Sequence, residues 1–263
     1  MIAHAGRVLR SHLRVAVAVE LAYRSNFWLY LLNALLSLGA ALAGLGLVYS
    51  KVDSLGGWSS ADLLVVIGVF FALGSIVTGV IHLSAAKLVA DIRLGAFDFR
   101  LLKPVDAQLV SLGQQPDPWR VLDLLLGVVV IAVGLTRGGF DGGVTAIVAA
   151  LAMFAVAVAI VAAFWSLLSC VTFWTVQGEG ILWALDDMFD HLRWPITIFP
   201  PALRFALSTV FPAGLAVTVP AQALTGRLDL ATAGIATGVA AALVITSRLV
   251  WLRAVQRYEG ASS

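Results

Sequence analysis

Residues Asp91–Asp106, DIRLGAFDFRLLKPVD, gather Asp91, Arg93, Asp98, Arg100, Lys103 and Asp106 in a chain that is 60% apolar and only 12% charged. Lys87 and Asp91 stand four apart, a helical ion-pair spacing. Gly95 suits the left-handed turn that ends a helix. Pro104 pushes Lys103 toward extended backbone. The island therefore reads as a bent, short-helix element. Phe97, Phe99, Leu101, Leu102 and Val105 are too apolar for a free linker. They need the membrane surface or another protein to cover them, although most loops of this kind only join two spans.

A second charged stretch carries Asp186, Asp187, Asp190 and His191. Asp187 and His191 could meet on one helix face, a weak metal-ligand spacing. A solvated cytoplasmic helix, or a second surface facing a partner, fits the same residues. Arg204 lies deep in an apolar segment broken by Pro200, Pro201 and Pro212. Charge at that depth faces a cavity or a partner, broken backbone must be buried or line water, and snorkelling to the headgroups is the alternative. These four residues mark a possible pathway. No G-x-x-x-x-G-K-[ST] occurs, so this chain does not cradle ATP itself. G-x-S-x-G, H-E-x-x-H and C-x-x-C are also missing, and Ser166, Ser169 and His82 have no evident catalytic partners. The single cysteine, Cys170, excludes an internal disulfide and a cysteine-based zinc site; it reads as a small buried hydrophobe.

The elements that must position these residues are long and greasy. Mean hydropathy is +0.97, and several stretches run about 20 residues with few charges, enough to cross ~30 Å of hydrocarbon. The fold class is all-α, a polytopic membrane protein forming a single domain over 1–263. Six transmembrane helices are expected near 27–49, 62–82, 121–135, 144–174, 195–221 and 230–251. Residues 1–26, with Arg7, Arg10 and Arg14 on one face, read as an interfacial helix. They fit a secretory signal less well, because the apolar run that follows is too long. The island sits in a loop over 83–120, and 176–194 forms a second loop on the same side. With this topology thirteen of the seventeen cationic residues fall on one side and three on the other. The positive-inside rule puts that richer side, and both termini, in the cytoplasm. Gly234 and Gly238, extended by Ala242, and the pair Ser75 and Gly79 permit close helix approach, and packing within the chain is the expected use.

The island resembles the signature of type-2 ABC exporter permeases (ABC-2 family transporters), in a bacterial subgroup with an I-R-x-G-x-x-D-x-x-L-L-K/R-P-V run. Ile92, Arg93, Gly95, Asp98, Leu101, Leu102, Lys103, Pro104 and Val105 carry the match. The carboxyl end, VWLRAVQRYEGAS, is similar to the subgroup's closing run through Trp251, Arg257, Tyr258, Gly260 and Ala261, and the proline-rich 194–226 region resembles its fifth segment. The resemblance implies that Asp91–Pro104 is a coupling helix seated in a groove of a cytoplasmic ATPase. It implies two ATPase subunits, which bind the ATP and Mg, and a second permease, identical or homologous. This chain would hold no cofactor and no metal and would not be an enzyme. It would work in membrane lipid, in the bacterial cytoplasmic membrane, with no nucleic acid among its partners. A re-entrant pair is expected after the fifth span. The few charges inside the spans point to a lipid-like or amphipathic cargo. The rival reading is a non-transporting scaffold or assembly factor that binds a cytoplasmic partner through the same island.

Overall fold

The computed structural model describes residues 2–22, 24–175 and 179–258; the side chains of Arg7, Arg24, Asp190 and His191 and the residues Gly260 and Ala261 lie outside that description. Helix α1 (Ile2–Ala22) precedes α2 (Arg24–Tyr49). Helix α3 (Ser60–Ile76) starts at a capping box in which Ser59 and Asp62 satisfy each other's backbone N–H groups. It runs through a π turn (Val77–His82) into α4 (Leu83–Arg93), one continuous helix of 34 residues. The π turn has a local cause. Gly79 offers its carbonyl to Asp117 N–H at 2.7 Å, and a Cβ there would lie 2.7 Å from Arg120 Cβ.

Short α5 (Asp98–Leu101) and α6 (Ala107–Ser111) follow. Next come α7 (Val121–Gly138), ended by Gly139 at φ +69°, and α8 (Gly143–Ser169), extended by a 3-10 turn to Phe173. Helix α9 (Glu179–Asp190), two 3-10 turns, α10 (Pro201–Thr209), α11 (Ala213–Leu224) and α12 (Leu230–Gln256) complete the chain. Five of these helices are long and apolar enough to cross a membrane: α2, α3–α4, α7, α8 and α12. The pair α10–α11, bent by 101°, makes six if it counts as one span. The protein is thus an all-α, multi-pass membrane protein.

Helix α3 is the centre, with 78% of its most apolar window buried against 17% for α2. Its tightest neighbour is α7. A Cβ on Gly68 would meet Gly127 O at 2.6 Å, one on Gly127 would meet Gly68 O at 2.6 Å, and one on Gly134 would meet Ala61 O at 2.9 Å. The two backbones touch because these three positions carry no side chain. The expected pairs behave differently. Gly79 receives Arg120 rather than a helix, and nothing lies within 4 Å of a Cβ built on Gly234 or Gly238. Helix α12 instead buries Ala236, Ala240 and Ser247.

The expectation for 176–194 needs correcting. Leu182, Leu185, Phe189 and Leu192 are buried in the main core, so the described part of this stretch is no solvated loop. It climbs alongside α3. Asp186 meets His82, Phe189 stacks on Phe70 with ring centres 5.4 Å apart, and Thr197 accepts from Trp58 Nε1 at 2.8 Å. His82 lies roughly 33 Å from Ser60 along the helix, at 1.5 Å per residue. The chain therefore returns to the Trp58 end of the bundle through 179–198. The fifth segment, expected to be broken by its prolines, is a bent pair: α10 carries no buried residue, while α11 is buried almost throughout.

Candidate functional site

The charged island caps the opposite end of the bundle, beside Trp251. Helix α4 stops because Gly95 takes φ +72°, which only glycine adopts cheaply. Leu94 N–H then donates to Ala90 O at 3.0 Å, Gly95 N–H to Ile92 O at 3.2 Å and Phe97 N–H to Asp91 O at 3.1 Å. The turn swings Phe97 under the bundle, where it is fully buried. Its ring packs edge-to-face on Phe173, Tyr258 and Trp251, at 5.3, 5.3 and 6.0 Å.

The charges point inward as well. Arg100 and Asp91 are both buried and form an ion pair. Arg100 also donates to Ser111 Oγ at 2.6 Å and lies over the Phe97 ring. Burial pushes the Arg100 guanidinium below its ordinary pKa, and the Asp91 charge opposes that. Lys87 adds a second cation, 2.7 Å from Asp91 Oδ1. Asp106 caps α6, accepting from Gln108 and Leu109 N–H at 3.0 and 3.1 Å, and pairs with Arg248 of α12 at 2.7 Å. Burial alone pushes the Asp106 carboxyl up. The Leu109 N–H, Arg248 and the Gln108 N–H outweigh it and hold the group below the usual range. Buried Gln108 donates to Ser166 of α8 at 3.1 Å and accepts from Arg248 at 3.0 Å. The island is therefore tied to α4, α8 and α12, not strung between two spans.

What remains outside is an apolar patch flanked by the exposed Arg93 and Lys103. Leu94 is 72% exposed, Phe99 73% and Leu102 82%; Leu101, Lys103 and Pro104 are exposed beside them. Ile92 and Asp98 are half-buried. The Tyr258 hydroxyl is shifted up, first by burial and then by the Asp98 charge. Of the residues marked from sequence, Asp91 is a strut rather than a docking contact, and the others surround the exposed patch. Sequence reasoning missed Arg100, Gln108, Ser166 and Arg248 as a unit. Arg248, a cation inside an apolar span, was the one available signal.

The other marked residues do not join this site. Arg204 is exposed on α10 and donates to Thr197 O at 2.6 Å, closing off a 3-10 turn. Pro200 and Pro201 start α10, and Pro212 caps α11. Asp186 faces His82, with Nδ1 and Oδ2 2.8 Å apart but poorly aligned for a hydrogen bond, and Asp187 is exposed.

A protein-family profile described as ABC-2 family transporter protein matches residues 35–262. No curated protein and no solved structure matches the chain. The match covers every candidate span except the first turns of α2 and takes in the whole island, so the chain belongs to the ABC-2 family of transporters, as a multi-pass membrane permease.

Proposed function

We propose that the chain is the permease subunit of an ATP-driven exporter in a bacterial cytoplasmic membrane, with both termini in the cytoplasm. In this reading it forms half of the pathway beside a second permease, and separate ATPase subunits supply the energy. ABC-2 permeases generally work with ATPase subunits. The observation that carries the proposal is the island's construction. Asp91, Arg100 and Asp106 are spent on internal ties within the island and to α12, and Gln108 on a tie to α8, while Leu94, Phe99 and Leu102 face outward with nothing to cover them. A loop built only to connect spans gains nothing from such stiffening. A lever needs it, because a rigid-body movement passes only through a stiff element fixed at both ends.

The test is to purify the protein from its native membrane and ask what travels with it. A stoichiometric ATP-hydrolysing chain is expected to co-purify. The double change Phe99→Glu and Leu102→Glu is expected to release it, since centrally buried apolar anchors commonly contribute ~2 kcal/mol or more each. An ATPase that never associates, or one indifferent to both changes, overturns the reading in favour of a scaffold.

A further inference from the structure

The outer surface of the island carries a charge pattern that membrane topology alone does not require. Leu94, Phe99 and Leu102 form its apolar centre, and exposed cations surround it. Arg93 and Lys103 belong to the island itself. Arg253 and Arg257 are exposed at the end of α12, where Trp251 and Tyr258 pack on Phe97. Arg10 is exposed on α1, the helix whose His12 feels the Lys103 charge.

The carboxylates of this end are turned inward. Asp91 is buried against Arg100, Asp106 pairs with Arg248, and Asp98 is half-buried beside Tyr258. Among the described residues the exposed carboxylates are Asp53, Asp141, Asp187 and Asp229, none of them in the island, in α1 or at the end of α12. The positive-inside preference gathers cations on one side of a membrane but is nearly indifferent to acidic residues. It does not explain why the acidic ones here are folded away. Nor does lipid account for the apolar centre. Phe97 is buried beneath the ends of α8 and α12, against Phe173 and Trp251, so the exposed side of the island faces along the bundle axis, away from the flanks where lipid lies. An apolar centre ringed by charge of one sign is how an interface divides its work: the centre holds the partner and the rim steers it.

We propose that this surface seats in a groove of a protein partner with an apolar floor and an acidic rim, Phe99 and Leu102 filling the floor and Arg93, Lys103 and Arg257 meeting carboxylates on the rim. The proposal rests on the permease reading only in taking that groove to belong to the ATPase. The chain that co-purifies and is released by Phe99→Glu with Leu102→Glu serves as the probe, and its association with the full permease in nanodiscs is timed. Between about 50 and 500 mM salt the association rate is expected to fall roughly tenfold or more, as screening shortens the reach of the charges. Arg93→Gln with Lys103→Gln should slow association roughly threefold or more at low salt, flatten the salt dependence and leave dissociation nearly unchanged. Arg137→Gln, an exposed cation at the opposite end of the bundle, should change nothing. In a second arm Leu102→Cys carries a fluorescent label, the native Cys170 being fully buried, in nanodiscs that contain phosphatidylglycerol and spin-labelled lipid. The label should escape quenching by the lipid and become shielded when the partner binds. Salt-indifferent association, a charge variant that acts only on dissociation, or a label quenched by lipid overturns the proposal, the last by assigning the surface to anionic headgroups. A partner that hydrolyses ATP but binds without regard to salt refutes the proposal and leaves the permease reading intact. A salt-sensitive partner that hydrolyses no ATP refutes the permease reading and leaves the acidic groove standing. If no chain associates, both fall.

Discussion

Replacing Arg100 by alanine tests whether the island is a braced element. Asp91 and Arg100 are 5% and 7% exposed, so the change strands a buried carboxylate. Removing one member of a buried pair costs about 3–5 kcal/mol, mainly because the remaining charge keeps its desolvation penalty. Lys87 stays 2.7 Å from Asp91, but its side chain is 49% exposed and partly screened by solvent. That places the loss near the lower end, about 3 kcal/mol. Ser111 keeps its bond to Ala107 O and adds little. If the segment opens locally, 3 kcal/mol is roughly a hundredfold in the opening equilibrium. Hydrogen exchange on the reconstituted chain reads this directly at the amides of Phe97 and Lys103, which donate to Asp91 O and Arg100 O. The double change Asp91→Leu with Arg100→Met removes both charges at similar volume and should cost far less than the single change. Less than about threefold faster exchange in Arg100→Ala, which is roughly 0.6 kcal/mol, refutes the reasoning. So does a double variant that exchanges as fast as the single one.

Three further outcomes follow from the geometry. Gly127→Ala puts a methyl 2.6 Å from a carbonyl oxygen that cannot retreat; it should cost about 1–3 kcal/mol and lower the thermal unfolding midpoint, whereas Gly238→Ala, with open space around it, should cost nothing. Burial, then the Lys103 and Arg100 charges, hold the His12 imidazole below its ordinary pKa. The undocked state therefore binds the proton more readily, and docking of α1 is undiminished above pH ~6.5 and weakens below it; exchange in α1, corrected for intrinsic rate, should accelerate on acidification, and His12→Gln should remove that dependence. The Asp106 carboxyl is held below its ordinary value, so its contribution is complete above pH ~4 and is lost as pH falls through the lowered pKa. At neutral pH Asp106→Asn should keep the cap on α6 but loosen Arg248, and Asp106→Ala should lose both, the cap alone contributing about 1 kcal/mol.

The legible parts of this fold were those set by local chemistry. Uninterrupted apolar runs announced α2, α3, α7, α8 and α12, and Gly95 announced the turn after α4 through its freedom at positive φ. What escaped depends on partners distant in the chain. Nothing local to Gly68 or Gly127 says that the two backbones touch. Gln108 and Ser166 are polar residues with no mutual signal until folding joins them. Helix α9 was misread because its acidic residues suggested water. Leu182, Leu185, Phe189 and Leu192 recur at helical spacing, and that stripe was the evidence for a buried face. The prolines of 195–221 announced a broken segment, and the chain makes a bent pair there.

These misreadings share a physical origin that bears on mechanism. The parts hardest to place from sequence, α9, α10 and α11, are the ones not built as straight apolar cylinders. Helix α11 is buried between α8 and α3, and α9 leans on α4 and the π turn. The straight elements include α3 and α7, locked by glycine contacts, and α8 and α12, tied at one end to the island through Gln108 and Arg248. In the proposed reading, a push on Leu94, Phe99 and Leu102 reaches α4, α8 and α12 through short polar links. Helix α9 touches both α4 and α8. In that reading, α9 is the element through which movement of α4 or α8 is passed on toward the locked α3–α7 pair.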